Sequence, residues 1–369
     1  MHMGTSFFNP TAELGQLDLA RHVSVKRPRE PSVLGHSEKM VTAADLAPTV
    51  PEMQAEIARI TYRFLRWLMV LLPGVLFVVT VAYATIEQDL ETSISAYYGT
   101  PVRDVFVGVM IATAVCMVAY QGSSLLEDYT LNGAGFYAVF VAFIPTNLED
   151  ILTSLRDNPL PGGATVENYI TAMRIAIAVV LALCILLVML EFRESARLAQ
   201  LWNRGAQSRL FILLTAGVLF MFLGYAGWRL YFPKAGDVTM DGFTLGPMHV
   251  RVHDMAAILL IAALAVAVWS HAWPKVVATL EDALPVPETD LQARIHYRWI
   301  FFAMLAGPVL FAVLYRRWDP DHWIILLEWW EILLFGWFWV RENIRTHTLA
   351  AAAVADADTA EAEAAEAGG

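Results

Sequence analysis

The sequence predicts an all-α fold: a polytopic bundle of about eight transmembrane helices with disordered segments at both ends. Three observations carry this. Of 369 residues, 57% are apolar and only 17% charged, a balance that soluble domains of this length do not show. The apolar residues are gathered into long runs, and a run of ~20 is what a bilayer core of ~30 Å requires of a helix. Lys and Arg fall on alternate connections between the runs, as the positive-inside rule demands of a multi-pass protein.

Residues 1–50 are polar, contain "VSVKRPREPSV" and lack the apolar stretch of a cleavable signal. They are expected to be disordered, with the first span serving as the targeting signal. The transmembrane domain is expected over residues 51–346, opening with a helix from "PEMQAEIARITYRF". The spans read as Thr61–Thr85, Val102–Tyr120, Leu131–Ile144, Ile170–Leu190, Leu210–Leu230, Met248–Trp269, Trp299–Tyr315 and Trp323–Val340. The third is the shortest, and a re-entrant segment is its alternative. Dropping it would invert everything downstream and expose Arg193, Arg197, Arg204 and Arg209 outside, so the charge bias keeps it. "EFRESARLAQLWNRG" extends the fourth helix, with Gly205 as its C-cap. Residues 347–369, rich in Ala, Asp and Glu without apolar period, are expected to be disordered or loosely helical.

Arg59, Arg63 and Arg66, the four arginines after span four, Lys275, Arg294 and Arg298, and Arg341 and Arg345 all fall on one side. That side is expected to be cytoplasmic, with both termini inside a plasma (inner) membrane. The net charge of −11 is partly that of the acidic tail. No basic, aromatic-interleaved patch suggests nucleic acid. The expected partner is the lipid bilayer, with room for a membrane-protein partner or homo-oligomer. Cys116 and Cys184 lie mid-span and read as small hydrophobes.

Polar residues concentrate towards the outer side. "SISAYYGTPVRD" offers Ser93, Ser95, Tyr97, Tyr98 and Asp104, while "PMHVRVHDMAA" offers His249, Arg251, His253 and Asp254. Arg174 enters span four, and Glu328 and Glu331 enter span eight. An ionisable group inside a span is paired or faces a cavity. Glu328 is therefore expected to face the interior and to pair with Arg174 first or Arg251 second. The outer ligand pocket then comprises Ser93, Ser95, Tyr98, Asp104, Arg174, Arg251, Glu328 and Glu331. His249 and His253, at i and i+4, have the spacing by which one helix offers two imidazoles to a metal such as zinc. Interfacial hydrogen bonding is the plainer reading. The inner side shows only its arginine flank. No G-x-S-x-G, H-E-x-x-H, Walker loop or Cys-x-x-Cys-His occurs, and no Lys lies inside a span to carry a Schiff base.

"SISAYYGTPVRDVFVG" with "AYQG…D…AGFYAVFVAFIPT", and later "HDMAA" and "LEWWEILLFGWFWV", resembles a family of bacterial polytopic membrane proteins that has no established activity. The resemblance implies fold and location only. A fainter one is to the membrane hydrolases that include alkaline ceramidases and adiponectin-receptor-like proteins. It implies a zinc site drawn from Ser93 or Ser95, Asp104, His249 and His253. Gly99 stands where a ligand His is due, so a carboxylate such as Glu328 would have to replace it. The expected function is binding or transport of a polar or lipid-like ligand, or service in a membrane assembly, with metal-dependent lipid hydrolysis as the alternative.

Overall fold

The computed structural model describes residues 50–157, 165–194, 202–203, 205–232, 242–245, 248–281, 291–319 and 321–367. The chain divides into two units, Met1–Phe64 and Leu65–Gly369. In the first, the described residues are helical, and Arg59 pairs with Glu56 at 2.8 Å on an exposed face.

The helices are α1 (Val50–Glu87), α2 (Val102–Ala119), α3 (Leu125–Phe143), α4 (Leu148–Asp157), α5 (Val166–Glu194) and α6 (Ala206–Tyr231). A hairpin of β1 (Gly242–Leu245) and β2 (Met248–Arg251) precedes α7 (Val252–Ala272), α8 (Pro274–Glu281) and α9 (Leu291–Leu310). A π-helical turn (Phe311–Tyr315), α10 (Arg316–Trp318) and α11 (Trp323–Ala367) complete the chain. Among the described residues, eight stretches are long and apolar enough to cross a membrane: Met53–Glu87, Val102–Ala119, Leu125–Asp157, Val166–Leu190, Ser208–Tyr231, Val252–Ala272, Arg294–Leu314 and Trp323–Ala352. The protein is a multi-pass helical membrane protein.

In the second unit α3 lies against α2 and α7, and α9 lies against α7 and α11. Small residues make these approaches possible, as in membrane bundles generally. A Cβ at Gly135 would stand 2.8 Å from the Ala114 carbonyl oxygen of α2. By contrast Gly108, in the first half of α2, faces open space. The apolar core joins Tyr97, Phe106, Tyr137, Phe140, Phe222 and Ile325, with Phe222 set edge-on to Tyr137 and Phe140.

Three sequence expectations change. The third span begins at Leu125, because Ser124 caps α3 with its side chain on the Glu127 N–H; the polar residues at its head belong to the helix. Span six begins at Val252, since Met248–Arg251 pair with β1 in register Thr244↔His249. Gly205 stands at the head of α6 rather than closing the fourth helix. Of the two alternatives for the acidic tail, disordered or loosely helical, the chain is helical to Ala367, as its Ala and Glu favour. The expectation for residues 1–49 lies outside the described residues.

The end of the bundle where α2 gives way to α3 also carries Arg294 and Arg345. It is called the basic end below, and the opposite end, at the 3₁₀ helix Ile94–Gly99, the distal end.

Candidate functional site

At the basic end α3 opens on the sequence Ser123-Ser-Leu-Leu-Glu127, which carries the Ser-x-x-Glu signature of a capping box. The Ser124 hydroxyl accepts the Glu127 N–H at 3.1 Å. Glu127 reaches back, and its Oε2 accepts the Ser123 N–H at 2.7 Å and the Ser123 hydroxyl at 2.9 Å. The chain folds so tightly over this carboxylate that a Cβ at Gly122 would lie 2.8 Å from Glu127 Cβ. Glu127 is 0% exposed.

Its other oxygen, Oε1, lies 2.9 Å from His271 Nε2 in the last turn of α7. His271 Nδ1 lies 3.6 Å from Glu342 Oε2 on α11. Glu342 is 1% exposed and held on three sides. Arg345 donates Nε to Oε2 at 2.9 Å and Nη2 to Oε1 at 2.6 Å. The Tyr297 hydroxyl of α9 donates to Oε2 at 2.8 Å. The His271 ring forms a cluster with those of Tyr297 and Phe338, at 5.2 and 5.3 Å, the latter two 5.8 Å from each other. At the rim, Arg66 donates to Asn343 at 3.2 Å. The Tyr120 phenol, in the turn between α2 and α3, is pushed well above its usual range by burial, with Glu127 and Glu342 adding to the effect and Arg66 opposing it.

This arrangement places one imidazole between two carboxylates contributed by different helices. Counting the groups in direct contact, Glu127, Glu342 and Arg345 sum to one negative charge, which a proton on His271 cancels. An imidazole is the side chain whose ordinary pKa lies nearest neutrality. Its two nitrogens lie near separate carboxylates, Nε2 at 2.9 Å from Glu127 and Nδ1 at 3.6 Å from Glu342, with neither contact aligned as a hydrogen bond to Nε2.

The distal end is organised by "SISAYYG". Ser93 caps the 3₁₀ helix, its hydroxyl accepting the Ala96 N–H at 3.1 Å and lying 3.1 Å from the Ser95 hydroxyl. Glu328 Oε2 accepts the Ile94 N–H at 2.5 Å. The Ile325 N–H reaches the Thr92 carbonyl at 3.1 Å, and Asn147 donates to the Ala96 carbonyl at 3.4 Å. The segment is thus tied to α11 and to the start of α4, with Ser93 to Tyr98 buried. Burial pushes the Tyr97 phenol up, and Arg103 stacks over Tyr98 at 4.7 Å.

The sequence-predicted residues separate accordingly. Ser93, Ser95, Tyr98 and Glu328 come together around the 3₁₀ helix. Asp104 is exposed in the first turn of α2, where a carboxylate complements the helix dipole. Arg174 does not pair with Glu328. Its Nε donates to the Leu230 carbonyl at 2.6 Å, drawn to the last turn of α6, where helical carbonyls lack donors. Arg251 donates Nη1 to Thr146 at 3.2 Å, and its N–H faces Asp254 at 3.4 Å. Glu328 instead takes an N–H at the head of the 3₁₀ helix, which has no helical partner of its own.

His253 is buried, with Nδ1 2.5 Å from the Ile144 carbonyl. His249 lies in β2, so the two histidines are not on consecutive turns of one helix; the His249 side chain lies outside the described residues. Among the described residues no three His, Cys, Asp or Glu side chains converge on a metal position. Glu331 is 7% exposed and stands apart from both clusters.

Sequence reading placed the polar chemistry at the distal end and missed the cluster of Glu127, His271, Tyr297, Glu342 and Arg345. The available signal was the Ser-Leu-Leu-Glu capping box, which starts α3 early enough to bury its carboxylate. Comparison of the chain with family models, curated proteins and solved structures yields no match.

Proposed function

We propose that this multi-pass membrane protein binds or transports a polar or lipid-like ligand in step with protonation of the His271 cluster. The observation that supports this is His271 itself, buried between Glu127 and Glu342, with contributions from α3, α7, α9 and α11. A core built for packing alone is better served by apolar side chains, which replace buried ion pairs at little or no loss. A titratable group between two acceptors offers what packing does not: two charge states of one site. The arginine distribution supports both termini being cytoplasmic; on that reading the cluster lies at the cytoplasmic end of a plasma-membrane protein.

The test uses the full chain reconstituted into vesicles holding a pH-sensitive dye. A panel of amino acids, sugars, organic anions and lysolipids is added under an imposed membrane potential. A solute-dependent change in internal pH that disappears in His271→Gln supports the reading. The absence of any solute-linked proton movement, with no solute shifting the melting temperature, overturns it.

A further inference from the structure

We propose that Glu331 is a proton-binding site inside the membrane, set against the broken part of span seven. This does not depend on the reading of His271. Glu331 lies in the third turn of α11, about 12 Å along the axis from Trp323. Its side chain is buried, and neither carboxylate oxygen has a hydrogen-bond partner among the described residues.

What faces it is specific. Gly307 of α9 comes so close that a Cβ there would lie 3.4 Å from Glu331 Oε1 and 2.9 Å from the Trp330 indole nitrogen. The Trp330 N–H is directed to the Ala303 carbonyl at 3.3 Å and does not serve the acid. Among the described residues, no charged side chain of α9, the π-helical turn or α11 lies within ion-pair distance of Glu331. Glu328, one turn away, is engaged with the Ile94 N–H.

The chemistry of the surroundings selects the ligand. A metal cation needs several oxygens at once, and the neighbours here are a glycine and an indole ring. A proton needs no second ligand. It cancels the charge that hydrocarbon does not tolerate and turns one acceptor into a donor.

The facing helix supplies both an acceptor and a hinge. Pro308 has no N–H, so the Met304 carbonyl on this same turn of α9 loses its helical donor. Three residues later the helix widens into the π turn Phe311–Tyr315. Such turns mark places where a helix can change its path. A protonated Glu331 can lie against α9 as a neutral donor. Loss of the proton requires the two helices to part and admit water.

A hydrophobic carbodiimide tests this on the purified full chain in neutral detergent, because the reagent adds only to a protonated carboxyl that it reaches through apolar surroundings. Mass spectrometry of the digest should place the adduct on Glu331. Labelling should fall about tenfold per pH unit above a transition and be missing from Glu331→Gln. Glu342, held by Arg345, should stay unlabelled throughout. No adduct on Glu331 at any pH, an adduct on Glu328 alone, or labelling of Glu331 that does not vary with pH would each overturn the proposal. The wild-type pH profile decides the matter even if the Gln variant does not fold.

Discussion

His271 on α7 holds its Nε2 2.9 Å from Oε1 of Glu127 on α3, and both side chains are almost completely shielded. Removing one member of such a pair leaves the other buried and uncompensated, at a cost of about 3–5 kcal/mol. Glu127→Gln and His271→Gln should each lower stability on that scale, measured by unfolding in mixed micelles. The double variant should lose clearly less than the sum of the two. Additive losses would show that the two residues are not coupled.

Tyr297→Phe removes only the hydroxyl that Glu342 accepts at 2.8 Å. Hydrogen bonds to charged groups contribute about 1.5–3 kcal/mol. The variant should fold, melt lower, and lose little further stability when combined with Glu342→Gln.

Glu328→Gln replaces the carboxyl acceptor of the Ile94 N–H with an amide oxygen. Amide exchange at residues 94–99 should quicken while the basic end stays as protected as before. Unchanged exchange in the 3₁₀ helix would mean that the serine cap and the Ile325–Thr92 bond hold it unaided.

Gly135→Ala places a methyl group 2.8 Å from the Ala114 carbonyl, a backbone atom that cannot swing away. Overpacking of this kind costs about 1–3 kcal/mol. Gly108→Ala meets nothing within 4 Å and should match the wild type or exceed it slightly.

Gly99 and Gly205 both have open space for a side chain and lie at opposite ends of the bundle. In a background without Cys116 and Cys184, a membrane-impermeant maleimide should label Gly99→Cys in intact cells. Gly205→Cys should react only after permeabilisation. The reverse pattern would place the termini outside.

The spans were legible in the sequence because apolar run length and bilayer thickness are the same measurement in different units. The depth of individual charges was not. Glu127 and Glu342 stand just beyond the apolar windows and read as flanks, yet α3 and α11 continue past those windows as helix and bury them. Conversely Arg174 and Glu328 lie at similar depth by residue count. That count does not reveal that free backbone groups, at the end of α6 and the head of the 3₁₀ helix, claim each of them first.

α11 is helical from Trp323 to Ala367, 45 residues, or about 67 Å at 1.5 Å per residue. A hydrocarbon layer ~30 Å thick accounts for less than half of that. The rest projects past the basic end as a shaft, and it is the helix that carries Glu328, Glu331 and Glu342. If those carboxylates change partners, no break in α11 separates them from the acidic stretch after His347. A spin label or fluorophore on that stretch would therefore read the state of groups buried in the membrane from a position wholly in water.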